Sequence, residues 1–486
     1  MLQDGKIFIG KSVKPEYLDL KLANRHGLVT GATGTGKTVT LQVLAEGFSE
    51  AGVPVFAADV KGDLSGVAAL GEAKPNLAAR AKEIGLDDWT QKSFPVTLWD
   101  VFGQQGLPIR ATIQEMGPLL LARQLELTEA QEGVLNIAFR WAADEVTSGN
   151  KNMLLLDLKD LRRVIQEMAA RAKELGSKYG NIAPATVGSI QRRLLVLEEQ
   201  GANNFFGEPS LDVTDFLKTA PDGRGIINIL AAEKLLLTPR LYATFLLSML
   251  SSLYNKLPEI GDPQKPKLVF FFDEAHLLFN DAPKALLEQV ERVTRLIRSK
   301  GVGVYYVTQN PRDVPDNVSA QLGNRVQHAL RAFTPREQRG IRAAAETFRP
   351  NPSIDTERAI QELKVGEALV STLQEKGEPS MVQRTLIRPP SARIGPLTDA
   401  ERQAMIQANP FFAKYKQTID RESAYELLEG RIAEAGADGG WLGKIGGVLG
   451  GDGKRQGAAE AFTKSLTRTV ASSIGRAIVN GIFGRR

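Results

Sequence analysis

The sequence of 486 residues contains no cysteine and only three histidines. Without cysteine the chain has no disulfide bonds, no zinc–thiolate site and no cysteine nucleophile, and it is compatible with a reducing compartment. The histidines, His26, His276 and His328, lie far apart along the chain. Thiol chemistry is therefore excluded, and we do not expect a histidine-based metal centre.

Long hydrophobic runs are also missing. No uncharged run reaches the ~18 residues that a membrane-spanning helix requires. The N-terminus, M-L-Q-D-G-K-I-F-I-G, lacks the basic start and the long apolar stretch of a signal peptide. We expect a soluble, cytoplasmic protein for which a membrane is not the partner.

Most of the chain lacks an excess of positive charge. The formal net charge is +5, but residues 454–486 carry seven Lys or Arg and one Glu. The remainder holds 54 basic and 55 acidic side chains, so that the body is nearly neutral. Global charge is therefore weak evidence for nucleic-acid binding, and only the tail is a distinctly basic segment.

Length and a hydrophobic content of 43% predict one large domain with additions. Apolar strand candidates alternate with helical patterns, which predicts a mostly parallel sheet covered on both faces. Between residues 116 and 200 the pattern changes to amphipathic helices, and Thr128-Glu129-Ala130-Gln131 has the form of a capping box. We divide the chain into a short N-terminal β element (1–26), an α/β core (27–115 and 201–390), a helical insertion (116–200), a helical extension (391–435), a glycine-rich linker (436–453) and a basic amphipathic C-terminal helix (454–486).

The C-terminal helix leaves two placements open. It spaces apolar residues from Phe462 to Ile482 at helical intervals and carries basic residues on another face. Docking on its own or a neighbouring subunit is the favoured interpretation, and a membrane-surface helix is the alternative. This helix and the insertion are also candidate contacts for a partner protein.

A glycine-rich segment between a strand and a helix is the most specific motif. Residues 31–38 read G-A-T-G-T-G-K-T, between a strand candidate at 27–30 and a helical pattern at 39–48. Its glycines let backbone N–H groups point at phosphate oxygens. Lys37 is expected to contact the β- and γ-phosphates, and the Thr38 hydroxyl to ligate Mg²⁺. The motif predicts ATP and Mg²⁺ as cofactors, with the nucleotide bound by Gly31, Ala32, Thr33, Gly34, Thr35, Gly36, Lys37, Thr38 and Val39.

An acidic pair follows a strongly apolar strand candidate. Phe270-Phe271-Phe272 runs directly into Asp273 and Glu274. Asp273 is expected to hold Mg²⁺ through water, and Glu274 to orient and deprotonate the attacking water. The alternative is an acidic start to a helix. A carboxylate in the Glu274 position indicates hydrolysis more than phosphoryl transfer to a small molecule.

Two further residues are candidates by position. Gln309 follows the strand candidate at 303–308, where an amide can sense the γ-phosphate or position water, and the alternative is that it caps a turn. Arg325 opens the next strand candidate, at the opposite end from the crevice of its own subunit. It could reach the nucleotide of a neighbour as an arginine finger or serve as a surface arginine. Arg331, Arg336 and Arg339 are weaker candidates for the same role.

With these motifs in place, the chain resembles the HerA-like branch of the HerA/FtsK superfamily of P-loop ATPases, and within it a poorly characterised bacterial group. The resemblance covers roughly residues 7–390. It rests on Arg25-His26-Gly27 and the glycine loop, Asp59-Val60-Lys61-Gly62-Asp63, Asp222-Gly223-Arg224-Gly225-Ile226-Ile227-Asn228, K-L-V-F-F-F-D-E-A-H-L-L from Lys267 to Leu278, Val307-Thr308-Gln309-Asn310 and Leu322-Gly323-Asn324-Arg325.

The resemblance implies a RecA-like P-loop NTPase core with an additional strand between the Walker A and Walker B strands. It also implies a hexameric ring with nucleotide between subunits, and a motor that moves DNA or protein. The roles of Lys37, Thr38, Asp273, Glu274 and Gln309 follow by motif position, with Arg325 as a trans-acting finger. Asp59 becomes either a site residue or a strand-end cap. The leading hypothesis is a Mg²⁺-dependent ring motor acting on DNA, and the alternatives are a protein-translocating ATPase and an ATP-controlled scaffold with slow hydrolysis.

In one respect the chain differs from the HerA proteins that resect DNA. Thirty residues precede the glycine loop, fewer than the N-terminal β-barrel of those proteins needs. That barrel helps to recruit partner nucleases. We therefore do not expect DNA-end processing together with a nuclease.

Overall fold

The computed structural model describes residues 1–280 and 284–437. In this part the strands are β1 Leu2–Gln3, β2 Lys6–Lys11, β3 Pro15–Asp19, β4 Gly27–Thr30, β5 Val55–Asp59, β6 Val96–Asp100, β7 Leu107–Pro108, β8 Ile227–Ala231, β9 Leu268–Phe272, β10 Val302–Thr308, β11 Asn324–Gln327, β12 Glu367–Ser371 and β13 Gln383–Ile387. The α-helices are α1 Lys37–Glu50, α2 Pro75–Glu83, α3 Ile113–Gln124, α4 Glu129–Thr147, α5 Leu158–Ala170, α6 Ala172–Tyr179, α7 Pro184–Glu199, α8 Pro239–Lys256, α9 His276–Phe279, α10 Lys284–Ile297, α11 Asp316–Ser319, α12 Pro335–Glu346, α13 Thr356–Glu362, α14 Asp399–Ala408, α15 Phe412–Tyr415 and α16 Ala424–Ala437.

The chain divides into two units, Met1–Leu428 and Glu429–Arg486. The described residues of the second unit, 429–437, are helical. The remainder of the predicted glycine-rich linker and all of the predicted C-terminal helix lie outside the described residues. Among the residues that are described, no helix is both long enough and apolar enough to cross a membrane.

All strands of the first unit join one sheet with two halves. The order is β1-β2-β13-β12-β11-β4-β10-β9-β5-β8-β6-β7, and β3 pairs with β2. From β11 to β7 the neighbouring strands are parallel. From β11 through β12 and β13 to β2 they are antiparallel, as are the pairs of β2 with β1 and β3. Strand β10 lies between β4 and β9, which confirms the predicted additional strand.

The parallel half is buried on both faces, as its apolar strands predict. Every residue of β5, β9 and β10 is buried. Helix α1 packs on this half through Phe48, whose ring centroid lies 6.2 Å from that of Phe271 and 6.0 Å from that of Tyr305. Replacing such a buried ring with alanine typically costs about 3–5 kcal/mol. The helix that follows the glycine loop is therefore held firmly against the sheet.

The register of the parallel strands determines which residues meet at one edge. Phe272 pairs with Tyr306 of β10 and with Ala58 of β5, and Thr30 pairs with Thr308. The segments that follow β4, β5, β9 and β10 therefore leave the sheet at the same carboxyl edge. In open parallel sheets this edge forms the ligand crevice.

The N-terminal β element is not separate from the core sheet. Strand β2 pairs with β13 through Gly10 and Lys11, which makes the first three strands the antiparallel end of the same sheet. A Cβ atom on Gly10 would lie 2.1 Å from the carbonyl oxygen of Leu386. The strands approach this closely because residue 10 has no side chain. Sequence patterning indicated the strands but not their partner.

Five helices, α3 to α7, lie between β7 and β8, where the sequence predicts a helical insertion. The N–H of Thr128 donates to Oε1 of Gln131 at 3.0 Å, which is one half of the predicted capping box at the start of α4. Helices α14 to α16 follow the last strand, in the predicted extension. Whether the insertion acts as a separate functional module stays a prediction.

The segment after β13 is anchored to α1 by a buried carboxylate. Glu46 is fully buried and accepts the backbone N–H groups of Ser391 at 2.7 Å and of Ala392 at 3.0 Å. Burial raises the pKa of Glu46, although these N–H groups oppose the shift. Helix α1 is thus tied to the sheet on one side and to the start of the extension on the other.

Candidate active site

The glycine loop, residues 31–38, connects β4 to α1. Gly31, Gly34 and Gly36 have φ angles of 154°, 76° and 113°, in the left-handed region that side chains disfavour. A Cβ atom on Gly31 would lie 2.5 Å from the Cβ atom of His328. Gly36 is the N-cap of α1, so that the free N–H groups of the first helical turn face the loop. This geometry suits a phosphate group, because N–H donors and the helix dipole both favour an anion.

Lys37 lies inside this loop. Its side chain is buried, and Nζ donates to the carbonyl oxygens of Gly31 at 2.6 Å and of Ala32 at 3.0 Å. Burial and the nearby ammonium of Lys61 lower the pKa of Lys37. Thr38 follows at the second position of α1 and is half-buried. The ammonium is therefore already positioned within the cradle that the sequence predicts for phosphates.

The predicted acidic pair lies at the carboxyl end of β9. Burial, with the neighbouring Glu274 and Asp59, raises the pKa of Asp273 to about 7. Its Oδ1 accepts the backbone N–H of Glu274 at 2.9 Å. Glu274 has a φ of 48°, a left-handed conformation that is costly for a residue with a side chain. Backbone strain at an acidic residue in a crevice is typical of a functional site.

Glu274 is enclosed by three partners. Nζ of Lys61 lies 2.7 Å from Oε1, and Nδ1 of His276 lies 3.3 Å from Oε2. Nε2 of Gln309 donates to both carboxylate oxygens, at 3.2 and 3.3 Å. Burial would raise the pKa of Glu274, but the bond and the charge of Lys61 outweigh it, and the pKa is lowered. The carboxylate is held in its ionised form.

Gln309 joins the acidic pair to the glycine loop. Its Oε1 accepts the hydroxyl of Thr33 at 3.2 Å, while its amide nitrogen faces Glu274. The structure thus brings together Lys37, Glu274 and Gln309, which the sequence places far apart. An amide that contacts both the phosphate cradle and a carboxylate is suited to report on the contents of the cradle.

Asp59 adopts the strand-end cap that the sequence left open as one alternative. Its carboxylate accepts the backbone N–H groups of Lys61 at 3.3 Å, Gly62 at 2.9 Å and Leu64 at 3.0 Å. Burial raises the pKa of Asp59 to about 6, against these hydrogen bonds. The cap holds the loop that carries Lys61. Sequence reasoning missed Lys61, although the motif at 59–63 contains it and follows a strand that ends at the same edge.

The arginine candidates lie apart from this cluster in their own chain. Arg325 pairs with Leu28 of β4, near the amino end of the parallel strands, and its guanidinium donates to the carbonyl oxygen of Ser319 at 2.9 Å. Burial lowers the pKa of Arg325. Arg331 is exposed and donates to the Gln361 carbonyl, and Arg339 is exposed on α12, while the side chain of Arg336 lies outside the described part. A role for Arg325 in a neighbouring subunit stays a prediction.

His328 was also missed by sequence reasoning. It follows β11 and is fully buried behind the glycine loop. Its Nε2 lies 2.8 Å from the Thr40 hydroxyl, and its Nδ1 lies 2.9 Å from the Glu367 carbonyl oxygen. Burial lowers its pKa to about 4, so that the ring is neutral at pH 7. The side chain supports the loop from behind and links α1 to the start of β12.

The donor set fits a magnesium nucleotide. The Thr38 hydroxyl and the Asp273 carboxylate are oxygen ligands of the kind that Mg²⁺ prefers, and the loop supplies N–H donors for phosphates. Within residues 1–280 and 284–437, no cluster of three or more histidine or acidic side chains could hold a metal ion by itself. Mg²⁺ commonly keeps waters and phosphate oxygens as ligands, so two protein ligands are sufficient.

Together, the glycine loop, the acidic pair and the parallel sheet with an extra strand define a P-loop NTPase with a RecA-like core. The family described as Helicase HerA-like C-terminal matches residues 6–486. The chain belongs to this family, and the resemblance to the HerA-like branch of the HerA/FtsK superfamily is confirmed.

Among curated proteins, the chain is similar to the DNA double-strand break repair helicase HerA of two archaea. It is 22% identical to that of Saccharolobus solfataricus over 377 residues, which cover 76% of this chain and 66% of the relative. It is 23% identical to that of Sulfurisphaera tokodaii over 382 residues, which cover 76% and 67%. The chain thus spans about two thirds of the length of these relatives.

Among solved structures, the fold is similar to two proteins of bacterial origin. The plasmid coupling protein TrwB, in complex with a non-hydrolysable GTP analogue, has a TM-score of 0.53 at 14% identity, covering 81% of this chain and 93% of that one. VirB4 of Thermoanaerobacter pseudethanolicus has a TM-score of 0.50 at 14% identity, covering 80% and 97%. These likenesses support the RecA-like P-loop fold.

Proposed function

We propose that this chain is a Mg²⁺-dependent ATPase that works as a ring-forming motor, with DNA as the polymer that it moves. The observation that carries the ATPase is the meeting of Glu274, Gln309 and the loop of Lys37 at one sheet edge. A carboxylate held ionised beside a phosphate cradle is what hydrolysis of a phosphoanhydride requires.

The residues divide the work as follows. The loop N–H groups and Lys37 bind the triphosphate. Thr38 and Asp273 would hold Mg²⁺, which would supply charge neutralisation at the phosphate oxygens. Glu274 accepts the proton of the attacking water, and Gln309 orients that carboxylate relative to Thr33. Burial raises the pKa of Asp273 to about 7, so this carboxyl is partly protonated at neutral pH, and metal binding would displace that proton.

The ring proposal rests on family membership and on Arg325. Its guanidinium lies near the amino ends of the strands, away from its own crevice, as an arginine finger for a neighbour would. Assembly into a ring would place one copy's arginine at the crevice of the next copy and complete the site for transition-state charge. Mass measurement of the full chain, with and without a non-hydrolysable ATP analogue, tests assembly. A monomer at all concentrations would exclude the ring.

The DNA proposal is supported by the archaeal relatives that are named as DNA repair helicases. The test is the rate of ATP hydrolysis with and without single- and double-stranded DNA, at low and moderate salt, because phosphate contacts weaken with salt. We expect stimulation of at least several-fold. Absence of stimulation by any DNA at low salt would contradict it, and an unfolded polypeptide, the substrate of the alternative motor, would be the next to try.

A further inference from the structure

Lys61 forms an ion pair with the proposed base. It follows β5 by two residues, and its Nζ lies 2.7 Å from Oε1 of Glu274. Its backbone is fixed because the N–H groups of Lys61 and Gly62 donate to the buried carboxylate of Asp59. The side chain, by contrast, is 41% exposed. A fixed backbone with an accessible side chain allows the ammonium to change partners without refolding the loop.

The same ammonium is joined to the phosphate cradle through side chains. Gln309 donates to the Glu274 carboxylate that pairs with Lys61, and its Oε1 accepts the hydroxyl of Thr33 in the glycine loop at 3.2 Å. An anionic phosphate bound by Lys37 would therefore enter the field of a second cation.

Glu274 has no free face in this arrangement. Oε1 accepts from Lys61 and Gln309, and Oε2 is near Gln309 and His276. A carboxylate in a tight ion pair is a weaker base, since the ammonium stabilises its ionised form. With both oxygens engaged, the carboxylate also lacks the open position that an attacking water needs.

We propose that Lys61 exchanges between two partners, Glu274 in the empty site and a γ-phosphate oxygen of bound ATP. This inference rests on the proposed ATPase function. Departure of Lys61 frees Oε1 of Glu274 for water. In the step that follows, the water oxygen bonds to the γ-phosphorus, the bond from that phosphorus to the bridging oxygen breaks, ADP leaves with the electron pair, and Glu274 takes the water proton. Lys61 thus couples the presence of a triphosphate to activation of the base.

The experiment compares binding of ADP and of a non-hydrolysable ATP analogue, both with Mg²⁺, to the full chain by calorimetry. The variants are Lys61→Gln, Lys61→Ala and Lys61→Arg. For Lys61→Gln and Lys61→Ala we expect about a tenfold loss of affinity for the triphosphate analogue and less than a twofold change for ADP, because one charge-assisted hydrogen bond is removed. Lys61→Arg should restore most of the difference. The kcat for ATP should fall together with the triphosphate affinity.

Lys92→Ala is the matched control, since Nζ of Lys92 lies 2.6 Å from Oε1 of Glu50 in a partly exposed ion pair away from the site. Equal losses of affinity for ADP and for the triphosphate analogue would mean a purely structural role for Lys61 and would overturn the proposed exchange. An unchanged ratio of the two affinities would overturn it as well. The titrations are run first without nucleic acid and then repeated with DNA. A loss of affinity that appears only with DNA would reassign Lys61 to polymer phosphate and reject the γ-phosphate.

A double-mutant cycle of Lys61→Gln and Glu274→Gln gives a second measurement that does not need turnover. The two positions should be coupled in the free energy of unfolding without nucleotide, and the coupling should disappear with the triphosphate analogue. Coupling that persists with the analogue would show that Lys61 stays on Glu274. If the wild-type chain bound neither nucleotide, the proposed ATPase function itself would fail. If the wild type hydrolysed ATP but the Lys61 variants lost affinity equally for ADP and for the triphosphate analogue, only the proposed exchange of Lys61 would be rejected.

Discussion

The two halves of the sheet carry different parts of the site. The parallel half presents Lys37, Asp273, Glu274 and Gln309 at one edge, because parallel strands end together. The antiparallel half contributes none of these groups. It meets the glycine loop at the start of β12, where the N–H of Gly366 donates to the carbonyl oxygen of Thr35 at 3.2 Å. One half places the chemistry, and the other supports the loop on which it depends.

Removing the ammonium of Lys37 from the glycine loop should have the largest effect. Lys37→Ala is expected to weaken ATP binding by at least about a hundredfold, since a buried ammonium and its charge-assisted contacts are lost. Calorimetry with ATP and Mg²⁺ measures it. Lys265→Ala is the control, because Nζ of Lys265 also donates to a backbone carbonyl, that of Ala51, at 2.7 Å, but on the surface. Tight binding by Lys37→Ala would remove the parallel edge as the nucleotide site.

Neutralising the base should separate binding from hydrolysis at the same edge. Glu274→Gln keeps the size of the side chain and should bind ATP normally, while kcat falls by about a hundredfold or more because the general base is lost. A phosphate-release assay measures the rate. Glu259→Gln, which alters an exposed pair with Lys300, should hydrolyse normally. Wild-type turnover by Glu274→Gln would mean that another group takes the proton.

Removing the Gln309 amide, which lies between the acidic pair and the glycine loop, should have a smaller effect. Gln309→Ala removes the contacts to Glu274 and Thr33, so that kcat is expected to fall about tenfold with little change in affinity for ADP. Steady-state kinetics measures kcat and KM separately, and calorimetry measures the affinity for ADP. A larger rise in KM than fall in kcat would make Gln309 a ground-state binding residue.

Substitution in the support region should act on stability. His328→Leu leaves the Thr40 hydroxyl and the Glu367 carbonyl without their partner, and the free energy of unfolding should fall by about 2–4 kcal/mol. Urea denaturation measures it. If the folded variant also loses ATP affinity, His328 acts on the nucleotide site through the loop that it supports. Unchanged stability would contradict the supporting role of His328.

The smallest expected effect is the pH dependence of the difference in free energy of unfolding between the wild type and His328→Leu. The pKa of His328 is about 4 when folded and about 6.5 when unfolded, so the unfolded chain binds the proton first as pH falls. The stability contributed by neutral His328 is complete above pH 6.5 and is lost towards pH 4. The gap between wild type and His328→Leu should therefore narrow by about 1–2 kcal/mol from pH 7.5 to 5. The raised pKa values of Asp59 and Asp273 affect both proteins and cancel in this difference.

The sequence allowed the parallel edge to be predicted more completely than its supports. The glycine spacing and the acidic pair are local sequence patterns, so Lys37 and Glu274 could be predicted as site residues directly. Lys61 and His328 could not, because their contacts depend on the register between strands that are remote in sequence. The same reason explains why the N-terminal strands were predicted but their pairing with β13 was not.

Strand β10 separates the phosphate loop from the acidic pair by two strand spacings, about 10 Å in all. The width of this gap distinguishes ligands by their length. A nucleotide held at Lys37 must extend across it before its terminal group comes near Glu274, and Gln309 lies midway along that path. A diphosphate, being one group shorter, would fill the cradle and leave the far side of the gap to water.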